Sequence, residues 1–236
     1  FEKISKKSNK FIEESFEVAF KILKSGKIYK FINGPISKKY FLEKKYLGMT
    51  EYISKYFSKK NTCMLILNKN LSVCPITTHL PISLVSKKIN KNEIKNKIIL
   101  INNFYKNFFN KKPKIGLLGL NPHCESILLN NEDEQIIKPI VNKIKKNGYK
   151  IEGPIPADTA FLKNNRKNFD VIVGMYHDQV LTPLKTLFEY DAINITLGLP
   201  FIRISPDHGP NTSMFGKNIS NPSSLIAAIN FLDKNW

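Results

Sequence analysis

The chain has 236 residues, a formal net charge of +18 and 42% hydrophobic residues, a composition typical of a globular protein with a core and not of a disordered tail. Its apolar runs are too short to span a bilayer. The positive charge favours a nucleic-acid-binding protein, but the lysines that carry it are scattered and no nucleic-acid-binding motif accompanies them, so we assign it to solubility and non-specific attraction of anions.

The order of hydrophobic residues predicts alternating helices and strands. Apolar side chains at helical spacing predict helices over residues 13–23, 91–109, 132–147 and 223–232. Short apolar runs predict strands over residues 28–32, 62–67, 71–77, 114–120, 170–175 and 192–197. Asn221 or Ser223 is the predicted cap of the last helix. Strands that alternate with long helices indicate an α/β fold.

The cysteines and the start of the chain bear on its compartment. Cys63, Cys74 and Cys124 form no CxxC pair and no zinc spacing, so we expect reduced thiols in a cytoplasmic protein. The first residues, FEKISKKSNK, include neither an initiator methionine nor the apolar core of a signal peptide. This start is typical of the interior of a longer chain.

All four histidines follow predicted strands or lie in polar loops. His79 lies in TTHLP, His123 in GLNPH, His177 in MYHDQ and His208 in DHG. Ligands of open α/β sheets bind beyond the carboxyl ends of strands, and three neutral imidazoles would hold a transition metal with a coordination position open for substrate. A single histidine is more often a structural hydrogen-bonding residue. Four of them in such loops predict a catalytic metal site assembled by the fold.

Two carboxylates accompany the histidines. Asp178 directly follows His177, and Asp158 lies in GPIPADT. Either could orient a metal-bound imidazole or accept a proton. Taken alone, Asp158 is more simply interpreted as the cap of a helix that begins near Thr159.

Candidates for anion binding lie further along the chain. Lys185 is eight residues after His177, and Arg203 lies in LGLPFIRIS in a chain with only one other arginine. A guanidinium is suited to phosphate or carboxylate. Asn194 could donate its amide to the same anion, although alone it is more simply a polar residue at a strand edge. No GxGxxG or P-loop motif is present.

Eight motifs occur in an order that is found in one enzyme family: GPISK, GMTE, TTHLP, GLNPH, GPIPADT, MYHDQ, NITLGLPFIR and DHG. Through them the chain resembles the 4-hydroxythreonine-4-phosphate dehydrogenases of pyridoxal phosphate (vitamin B6) biosynthesis. The resemblance implies an isocitrate/isopropylmalate dehydrogenase-like fold, a two-domain α/β/α sandwich with an active site in the cleft. Residues 1–46 and 200–236 would form the first domain, and residues 47–199 the second, which carries the metal, substrate and dimerisation sites.

The resemblance also implies a chemistry and a set of site residues. NAD would oxidise 4-phosphooxy-L-threonine with the help of a divalent metal (Zn, Mg, Mn or Co), and loss of CO₂ would give 3-amino-2-oxopropyl phosphate. The enzyme would be a homodimer with shared active sites. Its metal ligands would be His79, His123 and His177. Its substrate-binding residues would be Thr50, Lys185, Asn194 and Arg203. Its candidate proton-transfer groups would be Asp158 and Asp178, with Lys185 as a further catalytic candidate.

The chain departs from the family pattern at several positions. Met49 replaces a substrate-binding histidine, and Val180 replaces a glycine. The segment after DHG differs near the nucleotide site, so Gly216 and Asn218 match cofactor-binding positions only loosely. The family's N-terminal GDPxGIGPE segment is absent from this sequence, so we expect the chain by itself to be weakly active or unstable.

The departures leave two alternatives open. One is a sister dehydrogenase that acts on 4-phospho-D-threonate or 4-phospho-D-erythronate, because Met49 lies at a substrate position. The other is a non-catalytic metal-binding relative, which Met49 and Val180 favour and the histidines and Arg203 oppose.

Overall fold

The computed structural model describes residues 6–42, 45–125, 130–210 and 212–233, within which eight strands form one sheet. The strands are β1 (Lys30–Ile32), β2 (Cys63–Leu67), β3 (Ser72–Thr77), β4 (Ile115–Leu118), β5 (Ile151–Ile155), β6 (Val171–Tyr176), β7 (Ile193–Leu197) and β8 (Ile202–Pro206). The longer helices are α1 (Lys6–Lys24), α3 (Met49–Tyr56), α5 (Lys91–Phe109), α6 (Lys138–Lys146), α9 (His177–Phe188) and α10 (Ser223–Leu232). Four-residue helices are α2 (Lys38–Phe41), α4 (Val85–Lys88), α7 (Ala157–Ala160) and α8 (Lys163–Arg166).

The sheet has the order β1-β8-β7-β2-β3-β6-β4-β5 and changes direction within it. β3, β6, β4 and β5 run parallel, whereas β2 is antiparallel to both β3 and β7. β8 is antiparallel to β7 and parallel to β1. Consequently, β1 and β8 end at the opposite end of the sheet from β3 and β6. The residues that follow these four strands do not all leave the sheet on the same side.

Both faces of the sheet are largely apolar, because alternate residues of each strand point to opposite faces. One face packs against α5, α6 and α10, and the other packs against α9. In β2, Cys63, Leu65 and Leu67 belong to the first layer, and Met64 and Ile66 to the second. Helices on both faces of a sheet confirm the predicted α/β architecture.

A separate aromatic cluster attaches α1 and α3 to the β1 side of the sheet. Phe20 of α1 is fully buried, and its ring centre lies 4.4 Å from that of Tyr56 and 5.2 Å from that of Phe57. The ring of Phe57 lies 4.7 Å from that of Phe201, which precedes β8. Met49, the first residue of α3, is buried in the same cluster. The cluster therefore holds the start of α3 against the sheet.

The helices predicted over residues 91–109 and 223–232 are confirmed with the same bounds. Pro222 occupies the N-cap position of α10, so neither predicted residue lies there. The side chain of Asn221 nevertheless caps the helix, since its Oδ1 accepts a hydrogen bond from the backbone N–H of Ser223 at 2.9 Å. No helix within the described ranges is long and apolar enough to cross a membrane.

The single helix predicted over residues 132–147 is divided in the structure. A π-helical turn, Asp133–Ile137, precedes α6. The Asp133 carboxylate accepts hydrogen bonds from the backbone N–H groups of Leu120 and Asn121, at 2.8 and 2.9 Å. These bonds tie the turn to the segment that follows β4, a tertiary contact that helical periodicity does not contain.

Candidate active site

A cleft of about 360 Å³ lies on the face of β7 and β8, between α3 and α9. Its lining residues are Asn33, Gly34, Pro35, Ile36, Met49, Thr50, Met64, His79, His177, Leu181, Lys185, Asn194, Arg203, Ser205, Pro206, Asp207, His208 and Gly209. His79 and His177 follow β3 and β6, whereas Asn33 and Asp207 follow β1 and β8 at the other end of the sheet. The cleft therefore extends along the sheet face and is not confined to one row of carboxyl strand ends.

Polar residues at alternate positions of β7 and β8 form the floor of this cleft. β7 reads INITL and β8 reads IRISP, so polar and apolar residues alternate in both strands. The isoleucines of both strands and Leu197 pack into the core layer beneath, whereas Pro206 at the end of β8 lines the cleft. The polar floor therefore consists of Asn194, Arg203 and Ser205, which line the cleft, and of Thr196, which lies on the same face and is bonded to Arg203 without lining the cleft itself. Thr196 and Ser205 were not predicted as site residues, although their alternation with isoleucine was visible in the sequence.

Arg203 is the central side chain of the polar floor and is only 2% exposed. Its Nε donates a hydrogen bond to Asn33 Oδ1 at 2.8 Å, and its Nη1 donates to Thr196 Oγ1 at 3.0 Å. Burial lowers the pKa of Arg203 to about 10, while the Glu51 carboxylate acts in the opposite direction. Arg203 is therefore charged at neutral pH. No ion pair of Arg203 is formed within the described part of the chain.

Lys185 has a counterion in the same cleft. Its Nζ lies 2.9 Å from Asp207 Oδ2 and donates a hydrogen bond to the Asp207 backbone carbonyl at 2.6 Å. The N–H of Asp207 is bonded in turn to Ser224 Oγ of α10 at 2.9 Å. Burial raises the pKa of Asp207, and the neighbouring Lys185 ammonium opposes that rise. Lys185 thus lies at a fixed position with one of its three N–H donors remaining for a ligand.

His79 and His177 face each other at the end of the cleft nearest the start of α9. Their ring centres lie 5.5 Å apart, close to the roughly 5 Å expected for two imidazoles bound to one tetrahedral metal ion. Asp178 Oδ1 lies 2.6 Å from His177 Nδ1. The carboxylate can therefore hold this nitrogen protonated and leave Nε2 for a metal. These donors fit part of the ligand set of a divalent transition metal.

His123 and Asp158 do not line this cleft. His123 lies in the 3-10 turn Pro122–Cys124 after β4, and its Nδ1 is 3.9 Å from Asp158 Oδ2. The two side chains are 74% and 57% exposed. Pro156 is the N-cap of α7 and Asp158 lies within its first turn, so Asp158 is not the helix cap. Among the residues described, no three histidine, cysteine or carboxylate side chains are grouped for metal binding.

The first turn of α3 forms the wall of the cleft opposite α9. Thr50 Oγ1 lies 3.4 Å from Thr196 Oγ1, and Met49 lines the cleft although it is 7% exposed. Glu51 Oε1 accepts a hydrogen bond from Thr78 Oγ1 at 3.0 Å. The buried Oε2 of Glu51 has no hydrogen-bond partner among the described residues. Glu51 was not predicted as a site residue, although it belongs to the GMTE motif.

Val180 and the predicted cofactor-binding residues Gly216 and Asn218 all lie outside the cleft. Val180 is fully buried, and a Cβ added to Gly174 would lie 2.5 Å from its side chain, so Val180 fills a core position beside β6 and does not line the cleft. Gly216 and Asn218 lie in an exposed segment between β8 and α10, both with positive φ. Neither lines the cleft, and their role in cofactor binding stays a prediction.

Comparison with known proteins assigns the family. The family model described as "Pyridoxal phosphate biosynthetic protein PdxA" matches residues 1–232. The chain is 44% identical over 229 residues to the 4-hydroxythreonine-4-phosphate dehydrogenase of Sulfurihydrogenibium sp., which covers 95% of this chain and 70% of that relative. It is 34% identical over 221 residues to a protein of Oceanobacillus iheyensis whose name proposes D-threonate 4-phosphate dehydrogenase activity, with 92% and 66% covered. The chain spans 64–70% of the length of four curated relatives.

Solved structures agree with this assignment. The 4-hydroxythreonine-4-phosphate dehydrogenase of Klebsiella pneumoniae superimposes with a TM-score of 0.74 at 30% identity, covering 89% of this chain and 65% of that one. Isocitrate dehydrogenase of Methylococcus capsulatus superimposes with a TM-score of 0.55 at 15% identity, covering 86% and 68%, which confirms the predicted fold type. The chain belongs to the family of the pyridoxal phosphate biosynthetic protein PdxA, as the order of its motifs predicts.

Proposed function

We propose that the protein is an NAD-dependent 4-hydroxythreonine-4-phosphate dehydrogenase, which oxidises 4-phosphooxy-L-threonine and releases CO₂ to give 3-amino-2-oxopropyl phosphate. The observation that supports this function is the composition of one cleft. It joins two imidazoles at one end to a buried guanidinium and an anchored ammonium. A phosphorylated hydroxy amino acid has complementary groups, since its anionic ends match Arg203 and Lys185 and its hydroxyl matches a metal site.

Each residue of the cleft has a role that follows from its surroundings. A bound divalent metal (Zn, Mg, Mn or Co) supplies Lewis acidity, and bound NAD supplies the hydride acceptor. His79 and His177 hold the metal, and Asp178, bonded to His177 Nδ1, orients that imidazole and is a candidate proton acceptor. Asn194 Oδ1 is buried without a hydrogen-bond partner among the described residues, so it is available to the ammonium or hydroxyl group of a substrate.

The third metal ligand is proposed to come from a second copy of the chain. His123 is exposed and does not line the cleft that contains His79 and His177. In a homodimer, His123 of one chain would complete the site of the other and bring the neighbouring Asp158 with it as a proton-transfer group.

The segment with Gly216 and Asn218 is the proposed contact for NAD. The division into two domains, residues 1–46 with 200–236 and residues 47–199, also stays a proposal. All eight strands belong to one sheet, so strand pairing marks no boundary between the two domains.

A cytoplasmic location completes the proposal. Cys63, Cys74 and Cys124 are all free in the structure, which agrees with a reducing compartment. The expected partner is a small phosphorylated substrate, and neither a membrane nor a nucleic acid is part of the proposed function.

A second candidate is supported by Met49. This side chain lines the cleft where the family motif has a histidine, and it offers no N–H donor to an anion. The candidate is a dehydrogenase for 4-phospho-D-threonate or 4-phospho-D-erythronate, and the similarity to the Oceanobacillus iheyensis protein supports the first of these substrates. The fold, the metal site and the hydride transfer would be unchanged.

NADH formation tests both candidates. The purified product of the full-length gene is supplied with divalent metal, NAD and, in parallel, 4-phosphooxy-L-threonine, 4-phospho-D-threonate and 4-phospho-D-erythronate. Preferential turnover of the first supports the proposed function, and turnover of either other compound moves the protein to the second candidate. Absence of turnover with all three, while metal binds, contradicts both and leaves a non-catalytic metal-binding relative.

The two arginines provide a matched control for this assay. Arg203→Lys keeps the charge and removes the planar fork, and we expect it to lose most of the turnover. Arg166→Lys makes the same change in α8, outside the cleft, where Nη1 donates to the Phe161 carbonyl, and we expect it to retain turnover. Equal losses in both variants would show that Arg203 has no specific role in the cleft.

A further inference from the structure

We propose that Asn33 and Thr196 are positioning residues, which orient the guanidinium of Arg203 so that its remaining N–H groups bind an oxyanion in the cleft. The identification of that oxyanion with the phosphate or carboxylate of the substrate rests on the proposed function. The subsite itself is defined by its chemistry and accepts inorganic phosphate as a test ligand. Neither Asn33 nor Thr196 was among the predicted site residues.

Arg203 has more N–H donors than the protein uses. A guanidinium carries five N–H bonds in one plane, and hydrogen bonds to Asn33 and Thr196 use two of them. The other three have no protein partner in the described ranges. Because Arg203 is 2% exposed and lines the cleft, the space in which these three donors can meet a ligand is the cleft itself.

The two acceptors lie on the strands that flank Arg203. Thr196 is the direct cross-strand partner of Arg203 on β7, and Asn33 follows β1 on the opposite side of β8. Asn33 also donates from Nδ2 to the Gly34 carbonyl at 2.9 Å, which fixes the direction of its Oδ1. A planar group bonded on two sides to adjacent strands has its orientation fixed by the sheet.

Both acceptors are neutral, so neither forms an ion pair with the guanidinium. Lys185 is paired with the carboxylate of Asp207, whereas Arg203 is held by an amide and a hydroxyl, and the Glu51 carboxylate acts on its charge without forming an ion pair with it. A buried cation is costly unless an opposite charge meets it. Asn33 and Thr196 therefore orient the guanidinium without competing for the anion.

Matched substitutions at Thr196 separate orientation from packing. Thr196→Val keeps the shape and removes the acceptor, whereas Thr196→Ser keeps the hydroxyl. We expect Thr196→Val to weaken the binding of inorganic phosphate about tenfold, as for loss of one hydrogen bond to a charged group, and Thr196→Ser to bind within about twofold of the unsubstituted protein. Isothermal titration calorimetry measures both, and Asn33→Ala is expected to behave like Thr196→Val.

The background of Arg203→Lys shows whether the effect acts through Arg203. In that background, Thr196→Val should cause no further loss of phosphate binding, because an ammonium does not need the same orientation. Ser72→Ala is the stability control, since it removes a buried hydroxyl bonded to Tyr105 at 2.9 Å, remote from the cleft. It should lower the melting temperature and leave phosphate binding unchanged.

Three results would overturn the inference: equal phosphate affinity in Thr196→Val and the unsubstituted protein, an undiminished effect of Thr196→Val in the Arg203→Lys background, or the lack of any phosphate binding that depends on Arg203. Failure of the proposed function is distinguishable from these. If the phosphate results are as expected but none of the three candidate substrates is oxidised, the anion subsite stands and the dehydrogenase assignment does not.

Discussion

At the scale of single residues, the two cations of the cleft differ in what balances their charge. The Nζ of Lys185 lies 2.9 Å from the carboxylate of Asp207, whose side chain is 10% exposed. Arg203 is held by neutral acceptors. Lys185 therefore stabilises the folded state of the free protein and also serves a ligand site. Arg203 is expected to stabilise the folded state mainly when an anion is bound.

Loss of Lys185 should produce a stability deficit that depends on pH. In Lys185→Met, the buried Asp207 carboxylate loses its counterion, at a cost of roughly 1–3 kcal/mol, reduced by solvent because Lys185 is 41% exposed. Burial already raises the pKa of Asp207, and removing Lys185 raises it further. A carboxyl whose pKa is higher in the folded state destabilises that state as pH rises above the unfolded value. The deficit relative to the unsubstituted protein should therefore be larger at pH 8 than at pH 5.

Urea unfolding at the two pH values measures this deficit. The double variant Lys185→Met/Asp207→Asn is the control, because it removes the uncompensated carboxylate and should recover most of the lost stability at pH 8. A deficit that is equal at both pH values, or that persists in the double variant, would contradict the role assigned to the pair.

Asp178 should control metal affinity through His177. Asp178→Asn removes the carboxylate that lies 2.6 Å from His177 Nδ1, and loss of such a partner typically weakens metal binding about 10–100-fold. Competition with a chelator for Zn²⁺ gives the affinity. Asp191→Asn makes the same charge change at an exposed position outside the cleft and should bind zinc normally. Equal affinities of the two variants would remove Asp178 from this role.

At the scale of elements, the position of α3 depends on α1. Phe20 of α1 is buried against Tyr56 and Phe57 at the end of α3, whereas Phe11 on the same helix is 72% exposed. The start of α3 carries Met49 and Thr50 into the cleft. Packing that is remote from the cleft therefore positions part of its wall.

Phe20→Ala should consequently lower both stability and substrate affinity. Removing this ring from a closed cluster costs about 3–5 kcal/mol, and the loosened α3 should raise the KM for the substrate. Phe11→Ala should change neither property. Denaturant midpoints and steady-state kinetics test the pair, and a large stability loss with an unchanged KM would show that α3 keeps its position without α1.

The helices and strands differ in how well the sequence predicts them. The long amphipathic helix α5 was predicted with its exact bounds because its contacts follow helical periodicity. α9 was not predicted, since Pro183 lies inside it, and β5 was not, since it contains Gly153 and Pro154. Among the residues that line the cleft, those predicted as site residues were Met49, Thr50, His79, His177, Lys185, Asn194 and Arg203.

Other parts of the cleft depend on strand direction, which one sequence does not state. Asn33 and Asp207 enter the cleft because β1 and β8 end opposite β3 and β6. Because these two pairs of strands run in opposite directions, Asn33 lies close enough to bond Arg203, and Asp207 lies close enough to bond Lys185. The alternation of polar and apolar residues in INITL and IRISP does place the polar floor on one face of these strands. It does not show that this face lines a cleft, because that depends on which helices pack against the other face.

At the scale of the whole molecule, one chain places two of the three predicted metal ligands together. His79 and His177 share the cleft, and His123 lies on an exposed turn beside Asp158. Either the turn moves within one chain, or a second chain supplies His123. The two possibilities differ in what happens when two inactive variants are combined.

Complementation between variants should distinguish them. His79→Ala and His123→Ala each disrupt every site of their own homodimer. If each site takes His79 from one chain and His123 from the other, a mixed dimer contains one intact site and one site with both substitutions. Random exchange of equal amounts makes half of the dimers mixed, so about a quarter of the original activity and zinc content should return. A mixture of His79→Ala with His177→Ala should recover nothing, because one cleft supplies both residues. Absence of recovery with His123→Ala, despite demonstrated chain exchange, would place all three ligands within a single chain.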